Sequence, residues 1–189
     1  MFSKKVLFPA FIIMVVLQWY FPVQMIRFHE RVLQTGKEYK FRVAPVDPND
    51  PFRGKFIVLQ FRDVKTTVEK GKDWAWQEDV YLTFQEDEQG FAVISKASST
   101  LPDATQHYLK AQVEYVSADG EMEIRYPFNR FYMEEFKAPI AEQLYNAAAL
   151  DTQQVAYAVV HMLNGQGVIK DVMINGKSIQ EWATIHPDK

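Results

Sequence analysis

The chain contains no cysteine, which removes thiol nucleophiles, Cys-ligated zinc and disulfides as explanations of its function. It does not assign a compartment, because oxidising and reducing surroundings both tolerate a Cys-free chain. Glycine is scarce: the eight present sit at turn-like positions, and none builds a phosphate-cradling loop. The four histidines are His29, His107, His161 and His186. No two share the spacing that sets a pair of ligands on one face, so no metal and no cofactor are expected. A Gly-x-Ser-x-Gly nucleophile elbow is also missing. Charges of both signs are mixed along the chain, without the basic stripe that neutralises a row of phosphates, so nucleic acid is not expected as a partner.

Charge is lacking altogether from residues 6–26. Residues 6–17 carry no polar side chain, and the apolar run beyond them is broken only by Gln18, Pro22 and Gln24. As a helix, 6–26 would be about 31 Å long, the thickness of a bilayer's hydrocarbon core at ~30 Å. Trp19 and Tyr20 fall toward the outer end, where amphipathic rings favour the interface, and Pro9 falls near the inner end. A cleavable leader needs small residues after its apolar region, and the stretch from Gln18 to Arg27 has only bulky ones. The segment therefore reads as an uncleaved anchor. Lys4 and Lys5 precede it, which predicts a cytoplasmic N-terminus at 1–5 and a periplasmic domain beyond an inner-membrane span at 6–26. Arg27 and Arg31 on the far side oppose that bias, with Glu30 in partial compensation.

The remaining ~160 residues make one ordinary domain, large enough to fold without staples. Residues 27–36 are charged and amphipathic and should carry the helix out to Thr35-Gly36, as a juxtamembrane helix or linker. From there the hydrophobic period changes from helical to two, and the domain is assigned to 37–189. A strand is expected at 38–43, and residues 56–62 form the most strand-like run, apolar on both faces and so expected to be central. Three hairpins follow: 80–85 with 91–96, 108–116 with 121–126 around Asp119-Gly120, and 155–162 with 168–174. Asn175-Gly176 marks a further turn. A short helix is expected at 139–149, with a possible second helical turn at 178–183. The expected class is thus mostly β, built of antiparallel hairpins in a barrel or sandwich, with one short soluble helix and the N-terminal transmembrane helix.

Gly54-Lys55-Phe56-Ile57-Val58-Leu59-Gln60-Phe61 resembles the signature of the GDYXXLXY family of bacterial membrane-anchored proteins. The Asp- and Pro-containing loop before it, ending at Arg53, is similar to that family's lead-in. Residues 129–135, with Arg130, Tyr132, Glu134 and Glu135, resemble its second motif. The likeness covers most of 32–177. Lys55 stands in place of the signature Asp, and Phe56 and Phe61 in place of its tyrosines; Gly54 and Leu59 are retained. If that Asp were a catalytic acid, this chain would lack it, and a structural role for the motif is favoured. What the resemblance implies is an anchored domain, in some members encoded with or fused to multi-span membrane proteins.

Two groups of side chains carry what chemistry there is. Asp47 and Asp50 in the loop, with Asp63 beyond the signature strand, could pair as acid and base or cap turns beside prolines, and the second role is the commoner. Arg130 and Tyr132 fall on one side of an extended segment. With Glu134 and Glu135 they could recognise an anionic ligand or a partner backbone, or simply form an Arg–Glu pair with aromatic packing. No catalytic residue is assigned. The leading expectation is a non-enzymatic accessory module that binds an envelope or membrane-protein partner through Asp47, Asp50, Arg53 and the 130–135 segment. The alternatives are an envelope hydrolase that brings Asp47 or Asp50 within about 5–10 Å of Glu134 or Glu135, and a carrier of an apolar ligand in an open barrel.

Overall fold

The computed structural model describes residues 4–45, 56–68, 72–103, 107–151 and 154–185. It begins with a long helix, α1 (Lys4–Thr35). The side chains of Phe8, Phe11, Ile13, Val16, Trp19, Phe21 and Ile26 are all more than half exposed, so this apolar surface has no cover among the described residues. It is the one helix among the described residues long and apolar enough to cross a membrane. The far end of α1 is different in kind. Val32 is completely buried, and the Gly36 N–H closes the helix on the Val32 carbonyl at 2.9 Å. A Cβ on Gly36 would stand 3.0 Å from the Met162 carbonyl oxygen. The residues expected as a juxtamembrane helix or linker are therefore a continuous helix docked on the domain.

The strands are β1 (Lys37–Ala44), β2 (Phe56–Val58), β3 (Gln60–Phe61), β4 (Lys65–Thr67), β5 (Asp79–Glu86), β6 (Ala92–Ser98), β7 (Tyr108–Val116), β8 (Glu121–Arg125), β9 (Arg130–Tyr132), β10 (Ala156–Leu163), β11 (Gln166–Ile174) and β12 (Lys177–Ser178). Helices α2 (Ala138–Leu150) and α3 (Ile179–Ile185) complete the described elements. One sheet runs β12-β11-β10-β1-β3, another β4-β8-β7-β5-β6, and β2 pairs with β9 between them. The named strands pair antiparallel, and together the sheets wrap into a nearly closed barrel. A backbone bond from Lys110 N–H to the Gly165 carbonyl, 2.8 Å, ties β7 to the β10–β11 turn.

Each strand follows from its alternation. Tyr39, Phe41 and Val43 of β1 face inward, as do Val80 and Leu82 of β5, Leu109, Ala111 and Val113 of β7, and Met122 and Ile124 of β8. The three expected hairpins all form. The third turns more tightly than its glycines suggest. Asn164 and Gly165 alone make the turn, both at positive φ (49° and 81°), the geometry that matches strand twist in a two-residue hairpin. Asn175-Gly176 repeats it (51° and 79°). In α2, Pro139 lies in the first turn and Ala138, Ala141, Tyr145, Ala148 and Ala149 form a buried stripe of small residues around one tyrosine. Alanine lets the helix lie close on the sheet, and Tyr145 reaches into it.

The interior is filled by rings. Phe41 lies between 5.3 and 5.8 Å, centroid to centroid, from Phe61, Phe84, Tyr126 and Phe128, and Tyr126 and Phe128 stack at 5.5 Å with 6° between planes. Such packing leaves an apolar ligand little room at the centre of the barrel.

One expectation is corrected. Residues 56–62 are not a central strand buried on both faces. They form two short pieces, β2 and β3, interrupted at Leu59; among the described residues β3 is the edge of its sheet and β2 pairs with β9 alone. Ile57, Leu59 and Phe61 point inward, but Phe56 and Val58 are half-buried and Gln60 is exposed. The strand buried on both faces is β10, where Ala158 to Met162 are all buried, because it lies between β11 and β1 with α1 and α2 packed on it. In 56–61 the outward pair is covered only in part, beside β9.

Candidate functional site

The two stretches singled out in the sequence meet. Across β2 and β9, Phe56 is opposite Tyr132, Ile57 opposite Phe131 and Val58 opposite Arg130. Phe131 points into the core, which forces Arg130 and Tyr132 outward together. The rings of Phe56 and Tyr132 lie 5.4 Å apart, and the Arg130 guanidinium carbon lies 4.9 Å from the Phe56 ring centroid. Among the described residues no carboxylate comes within ion-pairing distance of Arg130. A cation held over a ring in this way gains about 0.5–1 kcal/mol at an exposed site.

Leu59 N–H then bonds to the Asn129 carbonyl at 2.8 Å, after which the chain crosses to β1. Ala44 pairs there with Gln60, and Tyr145 locks the junction. Its hydroxyl donates to the Ala44 carbonyl at 2.5 Å and accepts from the Gln60 N–H at 3.3 Å. Burial pushes the Tyr145 phenol up to about 12, against the opposing pull of the Gln60 bond and Arg62. Tyr126 behaves likewise: burial, and then the negative charge of Asp63, raise its pKa, and its hydroxyl donates to the Asp63 carbonyl at 2.5 Å.

Arg130 and Tyr132 form one wall of an open groove of about 630 Å³. Asn129 continues that wall, and Lys170 of β11, Gln180 of α3 and His29 of α1 complete the lining. Phe128 and Gly167 lie beneath. A Cβ on Gly167 would come 2.4 Å from the Phe128 ring, so only glycine lets β11 pass so close to that ring. His29 Nδ1 donates to the Met25 carbonyl at 3.0 Å, which turns Nε2 away from its own helix. Lys170 keeps a loose link to Glu38 at 3.6 Å, and the same carboxylate oxygen lies 3.3 Å from His161 Nε2. The groove thus presents a guanidinium, an ammonium and two carboxamides, a set of donors suited to an oxyanion, with the His29 imidazole at its edge.

The other candidates fall elsewhere. Asp47, Asp50, Arg53, Gly54 and Lys55 lie outside the described residues. Glu134 does not pair with Arg130; it is exposed and bound to Lys137 at 3.0 Å, one turn on. Glu135 is exposed beside it. Asp63 belongs to a structural clamp with Asp87 around Arg42, whose guanidinium also binds Gln89 at 2.9 Å and covers the Phe91 ring at 4.3 Å. Among the described residues no cluster of three His, Asp or Glu side chains could hold a metal. Lys170, Gln180 and Gly167 escaped the sequence reading, and His29 and Asn129, though noted there, were not assigned to a site. They come from four separate segments, and no local spacing links them.

Fold and site define a class: a small β-barrel domain borne on one apolar helix that docks against it, with a cationic groove where the helix and barrel meet. The chain belongs to the GDYXXLXY protein family, whose model matches residues 18–172. No curated protein and no solved structure matches it.

Proposed function

We propose that this protein is a single-pass, N-in membrane protein whose barrel stands on the periplasmic face of the inner membrane and serves as a non-enzymatic binding module for a membrane-protein partner. The observation that carries the reading is an exposed Tyr132 (63%) on the same outward face as Arg130, on a strand held near the end of an apolar helix. Tyrosine and arginine are the side chains that most often anchor protein interfaces, since each brings large area or several donors at small entropic cost. Lys4 and Lys5 ahead of the charge-free run favour the stated orientation. A multi-span protein of the same membrane is the natural partner, because the anchor confines the domain to within a few tens of ångströms of the lipid.

The test is site-specific photo-crosslinking in intact cells, with the reactive group at position 132 and, as control, at Tyr115, equally exposed (62%) but on β7. A reproducible membrane-protein adduct from 132 and none from 115 supports the reading. No adduct, equal adducts from both, or a C-terminal reporter found in the cytosol would each overturn it.

A further inference from the structure

We infer that the groove between α1, β9 and β11 binds the phosphodiester headgroup of an anionic phospholipid. The inference rests on α1 being a membrane span, but not on which protein partner the domain has or on which side of the membrane it stands.

Depth is the first argument. His29 lines the groove and follows Ile26, the last residue of the charge-free run, by three residues, or about 4.5 Å of helix rise. The headgroup region adds about 5–7 Å to each side of the hydrocarbon core. Because α1 is one helix through Thr35 with Val32 buried against the domain, the groove cannot drift far from that level. It opens where lipid phosphates are the most concentrated anions.

Chemistry is the second. Arg130 is supported from behind by Phe56 and meets no carboxylate among the described residues, so its fork of donors is free to bind two oxygens of one phosphate. Lys170, on the facing wall, holds Glu38 only at 3.6 Å and can turn to a second anion with little loss. Asn129 and Gln180 offer carboxamides, and Tyr132 a hydroxyl, suited to a glycerol-type headgroup. Arg27 and Arg31, both exposed on α1, add attraction to an anionic surface, with Glu30 opposing it.

The experiment uses the full chain extracted in detergent, with lipid adducts counted by native mass spectrometry after addition of phosphatidylglycerol, phosphatidylcholine or free glycerol phosphate. The expected result is retention of phosphatidylglycerol several-fold above phosphatidylcholine, with negligible glycerol phosphate. Arg130→Gln and Lys170→Gln should each lower that retention about fivefold, the effect of one basic side chain near a lipid surface, without loss of circular dichroism. Equal retention of the two lipids, unchanged retention in both folded variants, or loss that follows Arg27→Gln and Arg31→Gln instead would overturn the inference. Binding of glycerol phosphate as tight as that of the lipid would overturn the lipid as its source. Failure of the crosslinking at position 132 would leave these outcomes untouched.

Discussion

Arg130 lies over the ring of Phe56, diagonally across the ladder and two residue pairs from its direct partner Val58, with its guanidinium carbon 4.9 Å from the ring centroid. Arg130 is exposed and Phe56 only half-buried, so the contact contributes little to stability and much to where the guanidinium points. Arg130→Ala should lower the melting temperature by less than about 4 °C, while removing the crosslinked adduct formed from position 132. A large loss of stability would assign Arg130 to the fold instead.

Tyr145 gives the opposite case. Its hydroxyl serves both strands of the β1–β3 junction, so Tyr145→Phe takes the partner from a partly buried carbonyl and an N–H. The expected cost is about 1–3 kcal/mol, measured by thermal or denaturant unfolding.

The same phenol sets an alkaline limit. Its pKa in the folded state, about 12, lies above the ordinary 10.0, so the folded protein holds its proton over a range where the unfolded chain has released it. The stabilisation is complete below pH 10 and is lost as pH rises through about 12, a fall of roughly 2–3 kcal/mol. Tyr126, raised in the same direction, steepens it. Melting curves from pH 8 to 12, beside the phenolate absorbance, should show unfolding and ionisation together. Ionisation complete near pH 10 in a still-folded protein would contradict the prediction.

At the acid end the Arg42 clamp governs. The Phe91 N–H, then Arg42 and the Gln89 N–H, hold the Asp87 carboxyl below its ordinary 3.8. Because the folded pKa is depressed, the contribution is present above 3.8 and is lost as pH falls through the lower folded value. Asp87→Asn should lower the melting temperature at pH 7 and flatten its decline below pH 4. An acid limb unchanged in the variant would remove Asp87 from the account.

Beneath the groove, Gly167→Ala should cost about 1–3 kcal/mol, because the new methyl group meets the Phe128 ring. Phe128→Leu in the same chain should restore part of the loss, and the double variant measures the coupling. Additive effects would show that the ring is not what excludes a side chain at 167.

Much of the architecture was legible in the residues. The hairpins at Asp119-Gly120 and in the 155–174 region announced themselves through alternation and turn chemistry, and α2 through its alanines behind Pro139. The signature segment misled, because two apolar faces describe a central strand and a half-covered edge piece equally well. Arg130 and Tyr132 were singled out, and their common direction followed from the pleat. Their Glu134 partner was not found: that carboxylate takes Lys137, three residues away on the nearer turn.

Local order determined the apolar helix, the antiparallel strands and the turn positions, since these depend on side-chain period and backbone preference within about ten residues. Only the tertiary fold decided that Phe56 would support Arg130, that Gly167 would admit Phe128, and that His29, Lys170 and Gln180 would enclose one groove. Those neighbours are brought together by sheet closure and by the docking of α1, and closure depends on how all the faces pack at once, which no single stretch of sequence encodes.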